Sequence, residues 1–157
     1  MKTQSVNKNA EMLGNLTFNL LVRCQQKEAH LAEQHGLLEA EFKCVRLLGS
    51  GESFIVKGIA ERMNLTPSRL TRIIDGLVKK GYVQRAIDKE DRRNMKITLL
   101  GKGENLANKI NKTFIDIHKE ILKEIDNSQH ESLLITMGNL QSAIEKWLQK
   151  PKIKYDK

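Results

Sequence analysis

The chain has 157 residues, enough for one domain with a buried core, and its 39% apolar content with two prolines and ten glycines predicts an ordered, helix-rich protein. It contains no run of eighteen apolar residues and no N-terminal signal segment, so we expect a cytoplasmic protein that is neither exported nor membrane-spanning. The formal net charge of +8 is informative through its position, because it is concentrated in the middle of the chain.

Two helices are predicted before residue 50. The first runs from about residue 10 to residue 34, ends at Gly36, and places three leucines on one face: Leu13, Leu16 and Leu20. The second runs from about residue 39 to residue 48 and gathers three apolar side chains: Phe42, Val45 and Leu48. The glycines at positions 49 and 51 then interrupt the helical pattern.

The segment that follows carries most of the charge. Residues 57–102 hold twelve basic and five acidic residues, whereas residues 1–56 hold six of each and residues 103–157 hold nine and eight. A basic region between two balanced regions is typical of a surface that binds phosphates. A charged face that only keeps the protein soluble is the alternative.

A helix-turn-helix is predicted at the start of this basic segment. Its first helix extends from about residue 55 to residue 63, with Ile59 and Met63 facing inward. Asn64 can adopt the left-handed conformation that a tight turn requires, and the chain is expected to turn at Asn64 and Leu65.

The second helix of the pair has the features of a DNA-contacting helix. Thr66 is a good N-cap and Pro67 suits the first helical position. Its inward stripe consists of Leu70, Ile73, Ile74 and Leu77. Its outward residues are Ser68, Arg72, Asp75 and Lys79. No carboxylate lies in the first turn, where Arg69 stands, so nothing at this positive helix end repels a phosphate.

A β-hairpin is predicted next. Gly81 ends the helix, residues 82–87 form one strand, and residues 95–99 form the returning strand by alternating apolar and polar side chains. The polar tip, residues 88–94, contains Arg92 and Arg93. Arginines at such a tip can follow a phosphate backbone or enter a narrow minor groove, although a solvated tip without a partner is the alternative.

Two amphipathic helices are predicted after the hairpin. The apolar residues of the first are Leu106, Ile110, Phe114, Ile117, Ile121 and Ile125. After a break at residues 126–128, a seam with coiled-coil spacing follows: Leu133, Met137, Leu140, Ile144 and Trp147. Pro151 ends it. The seams could cover the core of the same chain, but we expect them to form a dimer.

Residues 55–103 resemble the winged helix-turn-helix of the MarR family (multiple antibiotic resistance regulators). The segment IAERMNLTPSRLTRIIDGLVKKGYVQR (residues 59–85) is similar to the family's second helix, turn, recognition helix and first wing strand, and DKEDRRNMKITL (residues 88–99) is similar to its wing. The resemblance implies a mainly α fold with a small β-wing, flanked by N- and C-terminal dimerisation helices. The expected divisions are residues 1–36, 37–100 and 101–157.

The resemblance also implies a function. Family members are homodimers that bind a pseudo-palindromic double-stranded DNA operator and often repress transcription until an effector binds. Asp91 and Arg93 match the D-x-R signature of the wing, and Arg72 and Asp75 match polar positions of the recognition helix. The expected DNA-binding residues are Thr66, Ser68, Arg69, Thr71, Arg72, Asp75, Lys79, Asp91, Arg92 and Arg93. A small aromatic or lipophilic effector, bound between the dimer helices and the winged domain, is implied by the resemblance alone.

The chain departs from the family pattern at two helix starts. Leu100 stands where the family commonly has a threonine that begins the next helix, with Thr98 on the other side of Leu99. Ile55 stands where a capping serine or threonine is usual, which leaves Ser53 as a substitute.

Other functions are less well supported by the residues. Two cysteines, Cys24 and Cys44, are too few for a disulfide scaffold and could sense oxidants, but small buried cysteines are more common. The two cysteines could bind a metal together with His30 and His35, but the spacing of the two histidines does not place them on one face of a helix. Neither a metal nor another cofactor is therefore expected. No catalytic constellation occurs. A protein-interaction scaffold or a non-specific architectural DNA binder is the alternative to a regulator.

Overall fold

The computed structural model of the protein describes residues 2–49, 54–87 and 95–150. Its elements in chain order are α1 (Lys2–Gln34), α2 (Glu39–Leu48), β1 (Phe54–Ile55), α3 (Val56–Arg62), α4 (Pro67–Lys79), β2 (Val83–Ile87), β3 (Met95–Leu99), α5 (Gly101–Lys123), a 3-10 turn (Asn127–Gln129) and α6 (His130–Leu148). The fold is mainly helical with one small sheet, as the sequence predicts. The chain forms two compact units, Met1–Lys112 and Thr113–Lys157. Among the described residues, no helix is both long enough and apolar enough to cross a membrane.

Helix α1 is longer than the sequence predicts. It begins at Lys2 rather than at residue 10, because residues 2–9 contain no glycine or proline to interrupt it. It ends where Gly36 adopts a φ of +65°. Among residues 5–34 of α1, only Leu31 and Ala32 are buried, whereas the three predicted leucines are exposed: Leu13, Leu16 and Leu20.

The core of the first unit lies among α2, α3, α4, the sheet and the beginning of α5. Its largest fully buried side chains are Phe42, Leu31, Ile59, Leu70, Ile74, Leu77, Ile97, Ile110, Val45, Val83 and Cys44. The predicted inward residues of α2 are therefore confirmed, and Leu48 is buried with them. On α4, three of the four predicted residues are buried, while Ile73 is only half-buried, as is Met63 beyond the end of α3.

The sheet has three antiparallel strands in the order β1-β3-β2. Strand β1 is a correction to the sequence prediction, which placed Ile55 in a helix. The structure pairs Phe54 with Ile97 and Ile55 with Lys96, and α3 begins one residue later. A two-residue strand is too short to show alternation, so the sequence could not reveal it. Ile55 occupies the N-cap of α3 without a side-chain hydrogen bond, and Ser53 lies outside the described residues.

The start of α5 is packed against the residue that precedes β2. The amide of Leu100 donates a hydrogen bond to the carbonyl oxygen of Tyr82 at 2.9 Å, and α5 begins at Gly101. A Cβ added to Gly103 would lie 2.0 Å from the same carbonyl oxygen, so only glycine permits this approach. Thr98 belongs to β3 and does not cap α5. Its buried hydroxyl has no hydrogen-bond partner among the described residues.

The second unit consists of the end of α5, the 3-10 turn and α6. The turn is fixed by Asp126, whose carboxylate accepts a hydrogen bond from the Ser128 amide at 2.8 Å. The His130 ring contacts the carbonyl oxygens of Leu122 and Ile125, each at 2.9 Å. Helix α6 has no buried residue. Its predicted seam is half-buried at two positions and exposed at the other three: Met137, Ile144 and Trp147.

Candidate nucleic-acid interface

Helix α4 begins as the sequence predicts. Thr66 is its N-cap, and the Thr66 hydroxyl accepts a hydrogen bond from the Arg69 amide at 3.4 Å. The Ser68 hydroxyl lies 3.3 Å from that of Thr66. Pro67 occupies the first turn, which contains no acidic residue. The unpaired amides at this end and the positive end of the helix dipole therefore face no carboxylate from α4 itself.

The turn between α3 and α4 is also confirmed. Asn64 has a φ of +52°, the left-handed conformation that asparagine adopts more easily than most residues. The amide of Leu65 donates to the carbonyl oxygen of Ala60 at 2.9 Å, which closes the end of α3. These residues set the direction in which α4 leaves α3.

The outer surface of α4 is polar and mostly basic. Five of its predicted DNA-binding residues are exposed: Ser68, Arg69, Thr71, Arg72 and Lys79. The Thr71 hydroxyl donates to the carbonyl oxygen of Pro67 at 2.9 Å. In the described part of the chain, no residue forms a hydrogen bond or ion pair with the guanidinium of Arg69 or Arg72. These two cations are therefore available to an external anion.

Asp75 has a different environment from its neighbours on α4. Its carboxylate forms an ion pair with Arg85 of β2, with 2.5 Å between Oδ1 and Nη2. The same guanidinium nitrogen donates to the carbonyl oxygen of Thr71 at 3.3 Å. Arg85 thus neutralises the only acid in the sequence of α4 and ties the wing strand to this helix. Sequence spacing gives no signal for Arg85, because nine residues separate it from Asp75.

The predicted hairpin is present. Strands β2 and β3 pair over their whole length, from Val83 opposite Leu99 to Ile87 opposite Met95. The tip, with the predicted residues Asp91, Arg92 and Arg93, lies outside the described residues. The last described pair, Ile87 and Met95, is exposed, so the two strand ends from which the tip departs face solvent.

The two cysteines of the first unit have different environments. Cys44 is buried, and burial together with the charge of Glu41 raises the pKa of its thiol to about 12. Because the thiolate is the reactive form, Cys44 is inert near neutral pH. Cys24 is half-buried and carries a free thiol. Within residues 2–49, 54–87 and 95–150, no three His, Cys, Asp or Glu side chains form a group that could hold a metal ion.

Comparisons of sequence agree with this architecture. The MarR family profile matches residues 37–95. The HTH-type transcriptional regulator SarZ of Staphylococcus haemolyticus is 32% identical over 127 residues, which cover 79% of this chain and 84% of that protein. The HTH-type transcriptional repressor YetL of Bacillus subtilis is 29% identical over 114 residues, which cover 65% of this chain and 68% of that protein.

Solved structures show the same fold. A MarR regulator from Methanosarcina mazei Go1 superposes with a TM-score of 0.73 at 21% identity, covering 87% of this chain and 98% of that one. A mutant form of MarR from E. coli superposes with a TM-score of 0.72 at 19% identity, covering 82% of this chain and 96% of that one.

Proposed function

Because this chain belongs to the MarR family of transcriptional regulators, we propose that it acts as a homodimeric repressor on a pseudo-palindromic DNA operator. In this proposal each protomer inserts α4 into the major groove and places its wing along the adjacent minor groove. The protein would act in the cytoplasm, where its DNA target lies. Catalysis forms no part of the proposal, since the sequence relatives are named as transcriptional regulators.

The observation that carries the proposal is the charge of the α4 surface. Arg69, Arg72 and Lys79 are exposed, and Arg85 pairs with the one acid of the helix. The helix therefore offers guanidinium groups and a positive N-terminus to a duplex, without a free carboxylate that would repel phosphate.

Each predicted DNA-binding residue has a proposed role. Arg72 and Asp75 stand where the recognition helix can reach base edges, and a guanidinium binds the edge of guanine with two hydrogen bonds. The hydroxyls of Thr66, Ser68 and Thr71 and the cations of Arg69 and Lys79 would bind phosphates and fix the register on the duplex. In the wing, Arg93 would enter the minor groove supported by Asp91, with Arg92 on the backbone.

Dimerisation is supported by apolar surface that a single chain leaves uncovered. Exposed large apolar residues of α1 are Val6, Met12, Leu13, Leu16, Phe18, Leu20 and Leu21. Those of the second unit are Ile115, Ile121, Leu134, Ile135, Met137, Ile144, Trp147 and Leu148. Many exposed large apolar side chains on the same helices are typical of an association site. We therefore propose that residues 1–36 and 101–157 form the dimer and residues 37–100 bind DNA.

We propose that the effector binds in a cavity of the first unit. A cavity of about 560 Å³ lies among α1, α2, α3 and α5. Its lining combines the apolar side chains of Leu47 and Met63 with the charged side chains of Glu28, Lys43, Arg46 and Arg62. A small aromatic or lipophilic molecule would contact the apolar side chains of this lining, whereas Lys43 and Arg46 are already paired with Glu28.

DNase I footprinting of the full-length protein tests the proposal, with the DNA upstream of its own gene as the probe. We expect one protected segment with two-fold symmetry, and we expect the bound protein to lower transcription from that template in vitro. Protection without sequence preference would instead support an architectural DNA binder. No protection on any duplex would support the protein-interaction scaffold.

A further inference from the structure

Glu41 of α2 is the only buried charged side chain in the described part of the chain, with 4% of its surface exposed. Its Oε2 atom accepts a hydrogen bond from the Leu38 amide at 2.9 Å, at the start of α2. The same oxygen lies 2.5 Å from Nζ of Lys80. A charge is buried at low cost only when it is paired and hydrogen-bonded, and Glu41 meets both conditions.

Lys80 joins this carboxylate to the end of the recognition helix. It is the C-cap residue of α4, and its Nζ also donates to the carbonyl oxygen of Gly36 in the turn between α1 and α2 at 3.4 Å. Its own carbonyl oxygen accepts a hydrogen bond from Nζ of Lys102 on α5 at 3.0 Å. One residue therefore connects the end of α4 to the α1–α2 turn, to α2 and to α5.

Gly76 of α4 is part of the same contact. A Cβ at this position would lie 2.6 Å from Oε1 of Glu41, so a larger residue here would displace the end of the Glu41 side chain. Glycine weakens the interior of a helix. The glycine in the middle of α4 is therefore explained by packing, because it leaves room for the Glu41 carboxylate against this helix.

We propose that Glu41 and Lys80 are positioning residues that fix the angle of the recognition helix against α1 and α2, and thereby set the half-site spacing that the dimer accepts. This proposal rests on the proposed function, because α1 contacts a partner protomer only if the protein is a dimer. A buried ion pair adds little stability compared with apolar residues of the same volume, but it is directional. The pair therefore contributes to the orientation of α4 more than to the stability of the protein.

The spacing of the half-sites is a sensitive readout of this angle. One added base pair moves a half-site by about 3.4 Å along the duplex and turns it by about 34° around the axis. A dimer with rigidly held recognition helices tolerates such a change poorly. A dimer whose α4 helices can tilt tolerates it better, although it binds the correct spacing more weakly.

The test uses the full-length dimer and a duplex that the wild-type protein selects from a random library, together with versions whose half-sites are one base pair closer or further apart. The variant Glu41→Met/Lys80→Met replaces the ion pair with side chains of similar volume and leaves the net charge unchanged. Lys57→Met/Glu61→Met makes the same chemical change in an exposed pair of α3 and is the control. Lys80→Arg keeps an ion pair.

We expect Glu41→Met/Lys80→Met to bind the selected duplex about tenfold more weakly and to lose about tenfold of its discrimination between spacings. The control variant and Lys80→Arg should discriminate like the wild type. Thermal melting tests whether each variant is folded. The thiol of the fully buried Cys44 should stay unreactive toward a thiol reagent when the core is intact. If Glu41→Met/Lys80→Met does not fold, Glu41→Gln, which keeps an acceptor for the Leu38 amide, takes its place.

Hydrogen exchange separates this proposal from the proposed function, because it needs no DNA. Amides in the last turns of α4 should exchange at least about tenfold faster in Glu41→Met/Lys80→Met, while those of α2 beyond its first turn stay protected. An unchanged exchange pattern, or unchanged spacing discrimination in a folded variant, would overturn the positioning role. A wild-type protein that selects no duplex would contradict the proposed function alone, and the exchange result would still decide whether the pair holds α4.

Discussion

Arg72 and Asp75 lie about one turn apart on the same side of α4, yet their side chains have different surroundings. Arg72 is exposed, and no described residue binds its guanidinium. Asp75 is held by Arg85. A free cation can form a new contact without breaking an old one, whereas a paired carboxylate cannot. We therefore propose that base recognition by α4 depends on Arg72 more than on Asp75.

Replacing Arg72 and Arg93 separately should produce different losses. Arg72→Ala should cost about 1 to 3 kcal/mol of binding free energy and relax base preference at one symmetric pair of operator positions. Arg93→Ala should weaken binding most on A·T-rich flanks and lower the salt dependence by about one unit of slope. Binding of both variants to a randomised operator library at two salt concentrations measures this. Equal losses on all sequences would mean that both arginines bind only phosphates.

At the scale of elements, the ion pair between Asp75 and Arg85 links the recognition helix to the wing. Both side chains are a third to a half exposed, so the pair contributes only about 0 to 1 kcal/mol to stability. Its larger effect is electrostatic, because it keeps a carboxylate of α4 neutralised beside the expected path of the phosphates.

A double-mutant cycle tests this effect. Arg85→Gln should weaken DNA binding by about tenfold, since it both removes a cation and leaves Asp75 unpaired near phosphate. Adding Asp75→Asn should recover part of that loss, because the free carboxylate is gone. Fluorescence anisotropy on the selected duplex gives the four affinities, and thermal melting should shift little in any variant. Additive effects of the two substitutions would show that the pair does not act as a unit.

The sequence was most informative where structure is determined locally. The cap at Thr66, the turn at Asn64 and the buried stripe of α4 follow from residues within a few positions of one another, and they are confirmed. Strand β1 was missed because its two residues are defined by pairing with β3. The start of α1 was placed too late because no residue there marks a helix boundary.

The candidate site was less predictable than the fold for the same reason. Sequence spacing identified which residues of α4 face outward, but it could not show that Asp75 meets Arg85. It also could not show that Glu41, on a helix with other exposed acids, is buried against Lys80 thirty-nine positions later. Both contacts join separate elements, so they depend on tertiary packing and not on local pattern.

At the scale of the whole molecule, the two units differ in how much apolar surface they bury. The fully buried side chains all belong to Met1–Lys112, whereas α6 of the second unit buries none. The first unit therefore has a core of its own, whereas the second leaves large apolar side chains exposed, as the proposed dimer requires.

Removing residues 128–157 should abolish the dimer and operator binding together. The shortened chain should keep the helical signal of the first unit, because the core residues remain. Loss of the second half-site should reduce the affinity for the full operator by about 10² to 10⁴, which abolishes binding at concentrations where the full-length protein binds. Light scattering and anisotropy on the same samples measure both properties. A full-length protein that is monomeric at micromolar concentration would contradict the proposal.

The contact between Gly103 and Tyr82 limits how this gene can vary. Any missense mutation at codon 103 adds a Cβ, and that atom would lie 2.0 Å from a backbone oxygen already bound by the Leu100 amide. Codon 101, two positions earlier, also encodes glycine, but a Cβ there meets no atom within 4 Å. Neutral drift can therefore replace Gly101, whereas purifying selection should remove every missense allele at codon 103.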